Sequence, residues 1–194
     1  ALLDQSSHAW LALAADGYLA AVSIVAGDAA STAHAVAACR ATVDAARRGE
    51  SRPPVLAMTL QALTWACMEA GELSEAGAAA EEALELMRCA GLSVWQSRIG
   101  ANAAHVAIRA GDLDAAWRHA ERAAEVANGT GDTWIAVAAT QLLAQIAALR
   151  GELRSARDLS LTLLDTIADV ETLAGVHRDV AKYALLDGDL QIAK

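Results

Sequence analysis

The sequence predicts an all-α protein, an α-solenoid of about five helical hairpins in a single domain, and three observations lead to that prediction. Fifty of the 194 residues are alanine, the strongest helix former. The chain has no phenylalanine, two tyrosines and two prolines, so it lacks the aromatic, β-branched and turn-forming mixture of a β-fold. The third observation is an internal repeat at a nearly constant spacing, which is typical of solenoids.

The repeated string is glycine, an acidic residue, leucine and, three residues later, alanine. It begins at Gly71, Gly111, Gly151 and Gly188, so the successive intervals are 40, 40 and 37 residues. Glycine ends a helix by adopting a positive φ, and an acidic residue next to it favours the start of the following helix. The leucine and the alanine then share one face of that helix. Each copy therefore predicts a first helix, a tight turn and a second helix.

The hairpins follow one another along the whole chain. The predicted units span approximately 10–49, 54–91, 94–129, 133–169 and 171–194, the last of them truncated. The predicted helix pairs are 10–26 with 29–48, 55–70 with 73–90, 94–110 with 113–128 and 133–150 with 153–169, before a helix from 171 to Gly188. One hairpin cannot bury its apolar face alone, whereas stacked hairpins share a core. Since the chain lacks an initial Met and stops seven residues into the last copy, we expect a longer protein.

The spacing of small residues resembles that of the tetratricopeptide repeat (TPR). After Gly71 come Leu73, Ala76, Ala80 and Ala83, as in the second helix of that repeat. The residue seven before each turn glycine is also small, as helix–helix approach in that family requires: Thr64, Ala104, Ala144 and Ala181. The period near 40 differs from the usual 34. Longer alanine-rich units of this kind are similar to the repeat regions of MalT-like and LuxR-type bacterial signal-transduction regulators.

The resemblance implies a non-catalytic module that binds a protein or peptide segment in a groove lined by the first helices. Counting back from each turn glycine gives the candidate groove residues Met58, Gln61, Trp65, Glu69, Arg98, His105, Arg109, Gln141, Gln145, Arg178 and Lys182. Amide, basic and indole groups in one stripe suit a peptide backbone and its side chains. In that family, lysine and asparagine at the groove positions form a clamp that binds the C-terminal carboxylate of a peptide. This chain has only part of that clamp. Trp95 and Trp134, near the start of their helices, are expected to staple one unit to the next.

Charge and cysteine content indicate which partners and which cellular compartment to expect for this chain. Fifteen basic against twenty-four acidic residues give a formal net charge of −9, which argues against direct nucleic acid binding by this segment. The apolar run 9–26 contains Asp16 and Gly17 at its middle, so no membrane role is expected. Cys39, Cys67 and Cys89 form no CxxC pair and predict reduced core cysteines of a cytoplasmic protein.

No motif predicts catalysis, a metal site or a cofactor. The sequence has no HExxH, no phosphate-binding GxxxxGK[ST] loop and no GxSxG elbow. The acidic group Glu75, Glu81, Glu82 and Glu85 is expected on a solvated helix face. Three alternatives to the regulatory or scaffolding module remain open at this point: a small-ligand sensor within such a regulator, a self-associating free-standing adaptor, and an enzyme with a site that no motif reveals.

Overall fold

The computed structural model describes residues 29–49, 52–164 and 170–188, together with Ala15, Leu19 and Ile167. Throughout these residues the regular structure is helical, which confirms the all-α prediction. Eight helices are described there: α1 (Ala29–Arg48), α2 (Pro53–Ala70), α3 (Leu73–Cys89), α4 (Ser93–Ala110), α5 (Leu113–Thr130), α6 (Thr133–Leu149), α7 (Leu153–Leu161) and α8 (Val170–Asp187). The predicted helix 10–26 lies outside the described residues.

The repeated glycines end helices as the sequence predicts. Gly71 and Gly111 both have φ of 80°, in the left-handed region that glycine adopts without a Cβ clash. At the first of these turns, the amides of Gly71 and Glu72 donate to the carbonyl oxygens of Met68 and Cys67, at 3.2 and 2.8 Å. These bonds satisfy carbonyl groups that would otherwise be unpaired at the helix end, and the chain reverses within two residues.

The acidic residue after each turn does not have the same role in every hairpin. The Asp112 carboxylate accepts a hydrogen bond from the amide of Ala115 at 2.9 Å and so caps α5. Asp132, after a turn that the repeat string does not mark, caps α6 in the same way. Glu72 and Glu152 make no such cap, since the longer glutamate side chain suits the N-cap poorly. The string therefore predicts the turn more reliably than the cap.

Small side chains allow the helices to approach one another. Thr64, Ala104 and Ala144 are buried, as the resemblance implies for the middle of the first helices, whereas Ala181 on α8 is half-buried. Each helix packs against the next along the chain, and α4 also contacts both α2 and α6 directly. The buried apolar residues of the described chain form four clusters along these layers, the first containing Val36 and Leu60 and the last containing Val176. The first helices therefore form one continuous layer that is available to line a binding surface.

The second helix of the fourth hairpin is shorter than predicted. The sequence predicts a helix over 153–169, whereas α7 ends at Leu161 and a turn covers 162–164. The Thr162 hydroxyl donates to the carbonyl oxygen of Leu159 at 2.7 Å, and the Leu163 amide donates to the carbonyl oxygen of Ser160. Local bonds from a β-branched threonine compete with the helical ladder at that point, and helix propensity alone does not reveal this.

The cysteines divide into two groups. Cys39 and Cys67 are buried as predicted, and burial raises their thiol pKa values to about 11 and about 12. The prediction was wrong for Cys89, which is exposed at the end of α3. In the described part of the chain, no helix has the length and apolarity needed to span a bilayer. The run 9–26 lies almost entirely outside that part.

Candidate functional site

Two adjoining cavities lie on the layer of first helices. The first has a volume of about 490 Å³ and is lined by residues of α2, α4 and α6. The second, of about 380 Å³, is lined by residues of α4, α6 and α8. His105, Ala138 and Leu142 line both, so the two cavities are continuous. We call this combined surface the groove.

Eight of the eleven candidate residues line the groove. Those in the first cavity are Met58, Gln61, Trp65, Arg98 and His105, and those in the second are His105, Gln141, Gln145 and Lys182. Glu69 and Arg109 do not line either cavity; they occupy equivalent positions in successive hairpins and form an ion pair at 2.9 Å. Arg178 is exposed on α8 and is also outside both linings. The structure thus brings together most of the predicted stripe, while its binding role stays a prediction.

The first cavity is rich in tryptophan. Trp65, Trp95 and Trp134 all line it. Trp95 packs against the core, as expected of a staple, and the Arg98 guanidinium lies 5.7 Å from the centre of its ring. Trp134 is 72% exposed, so the expectation that it staples two units was wrong. Trp65 is 41% exposed. Two of the three indoles therefore present free surface to the cavity.

Sequence reasoning missed Trp134 as a groove residue although the signal was present. The predicted groove positions lie two, six, ten and thirteen residues before a turn glycine, which corresponds to successive turns of the first helix. Trp134 lies seventeen residues before Gly151, one further helical turn along the same stripe. Extending the count to the start of the first helix would have included it.

Gln61 is the most unusual polar residue of the groove. Its side chain is 9% exposed, on the buried side of α2, yet it forms part of the wall of the first cavity. No donor among the described residues reaches its Oε1 atom. A buried acceptor without a hydrogen bond is costly, and native proteins contain few of them. Since Oε1 is itself buried, it lies beneath the groove surface, and its unpaired state is a cost to folding.

His105 marks the junction of the two cavities. Its side chain is open to solvent on the groove floor, but the surrounding walls partly desolvate it and lower its pKa below 6.5. Beyond it the groove becomes more polar, with the amides of Gln141 and Gln145 lining the same cavity as Asp179 and Lys182. The Lys182 ammonium lies 5.9 Å from the ring centre of a neighbouring tyrosine. The groove thus has one aromatic end and one amide-rich, charged end.

The four glutamate side chains that the sequence places on one face of α3 all contact a basic or imidazole side chain. Glu75 accepts from Arg40 at 2.6 Å, which lowers the pKa of its carboxyl group. Glu82 also pairs with Arg47 and Glu85 with Arg88, and a Glu81 carboxylate oxygen lies 3.0 Å from Nε2 of His119. Cys67, Glu72 and Glu75 lie close enough together to suggest a metal site, but Arg40 donates to both carboxylates. Most of these charges hold neighbouring helices together at the surface.

Comparison with known proteins identifies the fold. No protein family model and no curated protein sequence matches the chain. Among solved structures, it is similar to a Podosopora anserina protein described as a putative kinesin light chain with nearly identical TPR-like repeats. That similarity has a TM-score of 0.77 at 15% identity and covers 91% of this chain and 87% of the other. A single-residue variant of the same protein gives a TM-score of 0.77 at 16% identity, with the same coverage.

A second similar structure is that of BtubC (BKLC) from P. vanneervenii. It matches with a TM-score of 0.68 at 14% identity, over 98% of this chain and 87% of the other. These matches confirm the TPR-like solenoid fold that the sequence predicts. At such identities the likeness concerns the fold alone.

Proposed function

We propose that this protein is a non-catalytic interaction module that binds an extended peptide segment of a partner protein in the groove. The observation that carries the proposal is the continuous groove on the first helices, which brings eight of the eleven predicted residues together. Free indole faces and a row of amides line the same surface. Such groups bind apolar side chains and peptide backbone, respectively.

The experiment is site-specific photo-crosslinking. A benzophenone amino acid at Ala138, which lines both cavities, is expected to crosslink to a defined peptide of the partner, identified by mass spectrometry. The same label at exposed Glu121 on α5 serves as the control and should give no such product. The identified peptide is then synthesised, and its dissociation constant for the isolated protein is measured by calorimetry.

Groove variants test the assignment quantitatively. Gln61→Ala, Arg98→Ala and Gln145→Ala should each weaken binding of that peptide by about tenfold, which corresponds to one lost hydrogen bond or ion pair. Helicity, measured by circular dichroism, should be unchanged. The matched control is Arg118→Ala, an exposed residue of α5. If Arg118→Ala abolishes binding while the groove variants leave it intact, the partner binds the other face.

A second candidate function is the sensing of a small effector. The cavity volumes of about 490 and about 380 Å³ favour it, because they fall within the range of small-molecule sites. An effector that binds the folded state raises the melting temperature without any partner protein. A metabolite library screened by thermal shift would therefore separate the candidates, provided that hits lose their effect in Gln61→Ala.

The wider context that we propose is a larger, cytoplasmic bacterial regulator of the MalT-like or LuxR type. Its support is the alanine-rich composition and the period of 40 residues between Gly71, Gly111 and Gly151. Terminal sequencing and intact mass of the native protein test this context. A flanking nucleotide-binding or helix-turn-helix domain would support it, and a native chain of nearly this length would contradict it.

A further inference from the structure

We infer that a cavity between the second helices, the Gly77 cavity, binds the indole ring of a tryptophan side chain from a partner protein. The cavity has a volume of about 290 Å³ and is lined by residues of α3, α4 and α5. Neither α3 nor α5 contributes a residue to the groove lining, so the site is separate from the groove and independent of the proposed function. The evidence is the next hairpin, in which the protein's own side chains fill the equivalent place.

In the third hairpin that place holds a tryptophan and an arginine. Trp117 lies six residues after Gly111, and Arg150 immediately precedes the next turn glycine. The Arg150 guanidinium lies 5.3 Å from the centre of the Trp117 ring and donates to the carbonyl oxygen of Leu113 at 3.1 Å. The ring also packs against the buried cluster that contains Ala147. An indole and a guanidinium thus cover the apolar surface between α5 and the following hairpin.

In the second hairpin the two equivalent positions carry almost no side chain. Gly77 lies 40 residues before Trp117, and Ala110 lies 40 residues before Arg150. Both line the Gly77 cavity, and a Cβ added at Gly77 would meet nothing within 4 Å. Leu73, the equivalent of the leucine that Arg150 contacts, lines it as well. The cavity therefore corresponds to the place that the Trp117 ring and its guanidinium occupy one repeat later.

The lining suits an aromatic ring. Most of the lining residues are glycine, alanine, valine or leucine, which leave room for a large planar group and offer it apolar surface. The two carboxylates of the lining are already engaged. Asp112 accepts from the amide of Ala115 at 2.9 Å, and a Glu81 oxygen lies 3.0 Å from Nε2 of His119. A ring can therefore enter the cavity without burying a polar group that lacks a partner.

The cavity is open to solvent, which indicates the source of the ring. Ser74, Ala78 and Ala110 line it and are exposed. A small-molecule site encloses most of its ligand, whereas an open cavity covers only one side of a ring. A tryptophan anchored in another protein is covered on its other side by the surface that carries it, and tryptophan is enriched among the residues that dominate interfaces. The occupant that fits best is therefore a side chain of a partner protein.

A capped amino acid tests the cavity directly. N-acetyltryptophanamide, titrated into isotopically labelled protein, should cause saturable shifts of the backbone amide resonances of Gly77, Ala107 and Ala110 in an NMR spectrum. N-acetylleucinamide should bind about fivefold more weakly, because its side chain buries less apolar surface. Equal affinity for the two compounds, or no saturable shift at these amides, would overturn the inference. Tighter binding of free indole than of N-acetyltryptophanamide would identify a small-molecule occupant and would overturn it as well.

Filling the cavity with side chains of the protein's own repeat is the matched test. Gly77→Trp combined with Ala110→Arg reproduces the cluster of the third hairpin, so it should raise Tm and abolish the saturable shift at Ala107. Gly129→Trp is the control, since Gly129 is also helical and open but does not line the cavity, and it should leave binding unchanged. A lower Tm or unchanged binding in the double variant would show that the cavity does not fit an indole.

Sedimentation equilibrium tests whether the ring comes from a second copy of this chain. Trp134 is 72% exposed and is the tryptophan that another copy would offer. We expect the mass of the wild-type protein to depend on concentration no more than that of the double variant. An association that the double variant removes would identify a second copy as the occupant and would overturn the assignment to a different protein.

Discussion

Replacement of Gln61 by methionine is expected to stabilise the protein. Gln61 is 9% exposed, and its Oε1 atom receives no hydrogen bond from the described residues. An unsatisfied buried acceptor costs about 1–3 kcal/mol of folding free energy. Methionine has a similar length and volume and no such acceptor, and a volume-conserving change in a core costs less than about 1.5 kcal/mol.

The difference between these two effects gives the size of the change. Taking a penalty of about 2 kcal/mol and a repacking cost of about 1 kcal/mol, we expect Gln61→Met to gain about 1 kcal/mol in the free energy of unfolding. For a chain of 194 residues this corresponds to a rise in Tm of about 2–4 °C. Urea denaturation followed by circular dichroism and a calorimetric scan measure the two quantities.

The matched control is Gln145→Met. Gln145 lies in the same groove but is exposed, so its replacement should change the free energy of unfolding by less than about 0.5 kcal/mol. A loss of more than about 1 kcal/mol in Gln61→Met, with Gln145→Met neutral, would refute the reasoning. It would mean that the Gln61 amide stabilises the fold.

Three further predictions concern the turns, the helix layer and pH. Gly111→Ala forces a Cβ into a residue with φ of 80° and should cost about 1–2 kcal/mol in urea denaturation. Ala104→Leu overpacks the fully buried contact of α4 with its neighbours and should cost about 1–3 kcal/mol in the same assay. Because the pKa of His105 is below 6.5 in the folded state, the unfolded chain binds more protons there as the pH falls through 6.5, and stability is lost. His105→Gln should reduce the loss of stability measured between about pH 7.5 and about pH 5.

Each of these changes has a control in the same chain. Gly77 is helical, and a Cβ added there would meet nothing within 4 Å, so Gly77→Ala should stabilise by about 0.5–1 kcal/mol, opposite in sign to Gly111→Ala. Ala78→Leu, on the exposed face of α3, should be nearly neutral, and a cost equal to that of Ala104→Leu would contradict the packing argument. An identical pH dependence with and without His105 would show that the groove walls do not desolvate the ring.

The turns were predictable because each depends on one residue type. A positive φ is costly for every residue with a Cβ, so glycine at a fixed period predicts the turn whatever the packing. Gly71 and Gly111 confirm this. The end of α7 was not predictable in the same way. It depends on the hydrogen bond from Thr162 to Leu159, and a threonine in the sequence does not reveal whether its hydroxyl bonds locally or faces solvent.

The groove was predictable in outline but not in its chemistry. Helical periodicity places Gln61 and Trp65 four residues apart and therefore on neighbouring turns of one face. It does not distinguish a buried amide from an exposed indole, because burial depends on the helices on either side. In the structure, Gln61 faces the packed layer and Trp65 stands at its edge. The unpaired Oε1 atom of Gln61 and the exposed ring of Trp65 are therefore visible only in the structure, and Gln61→Met tests the first of them.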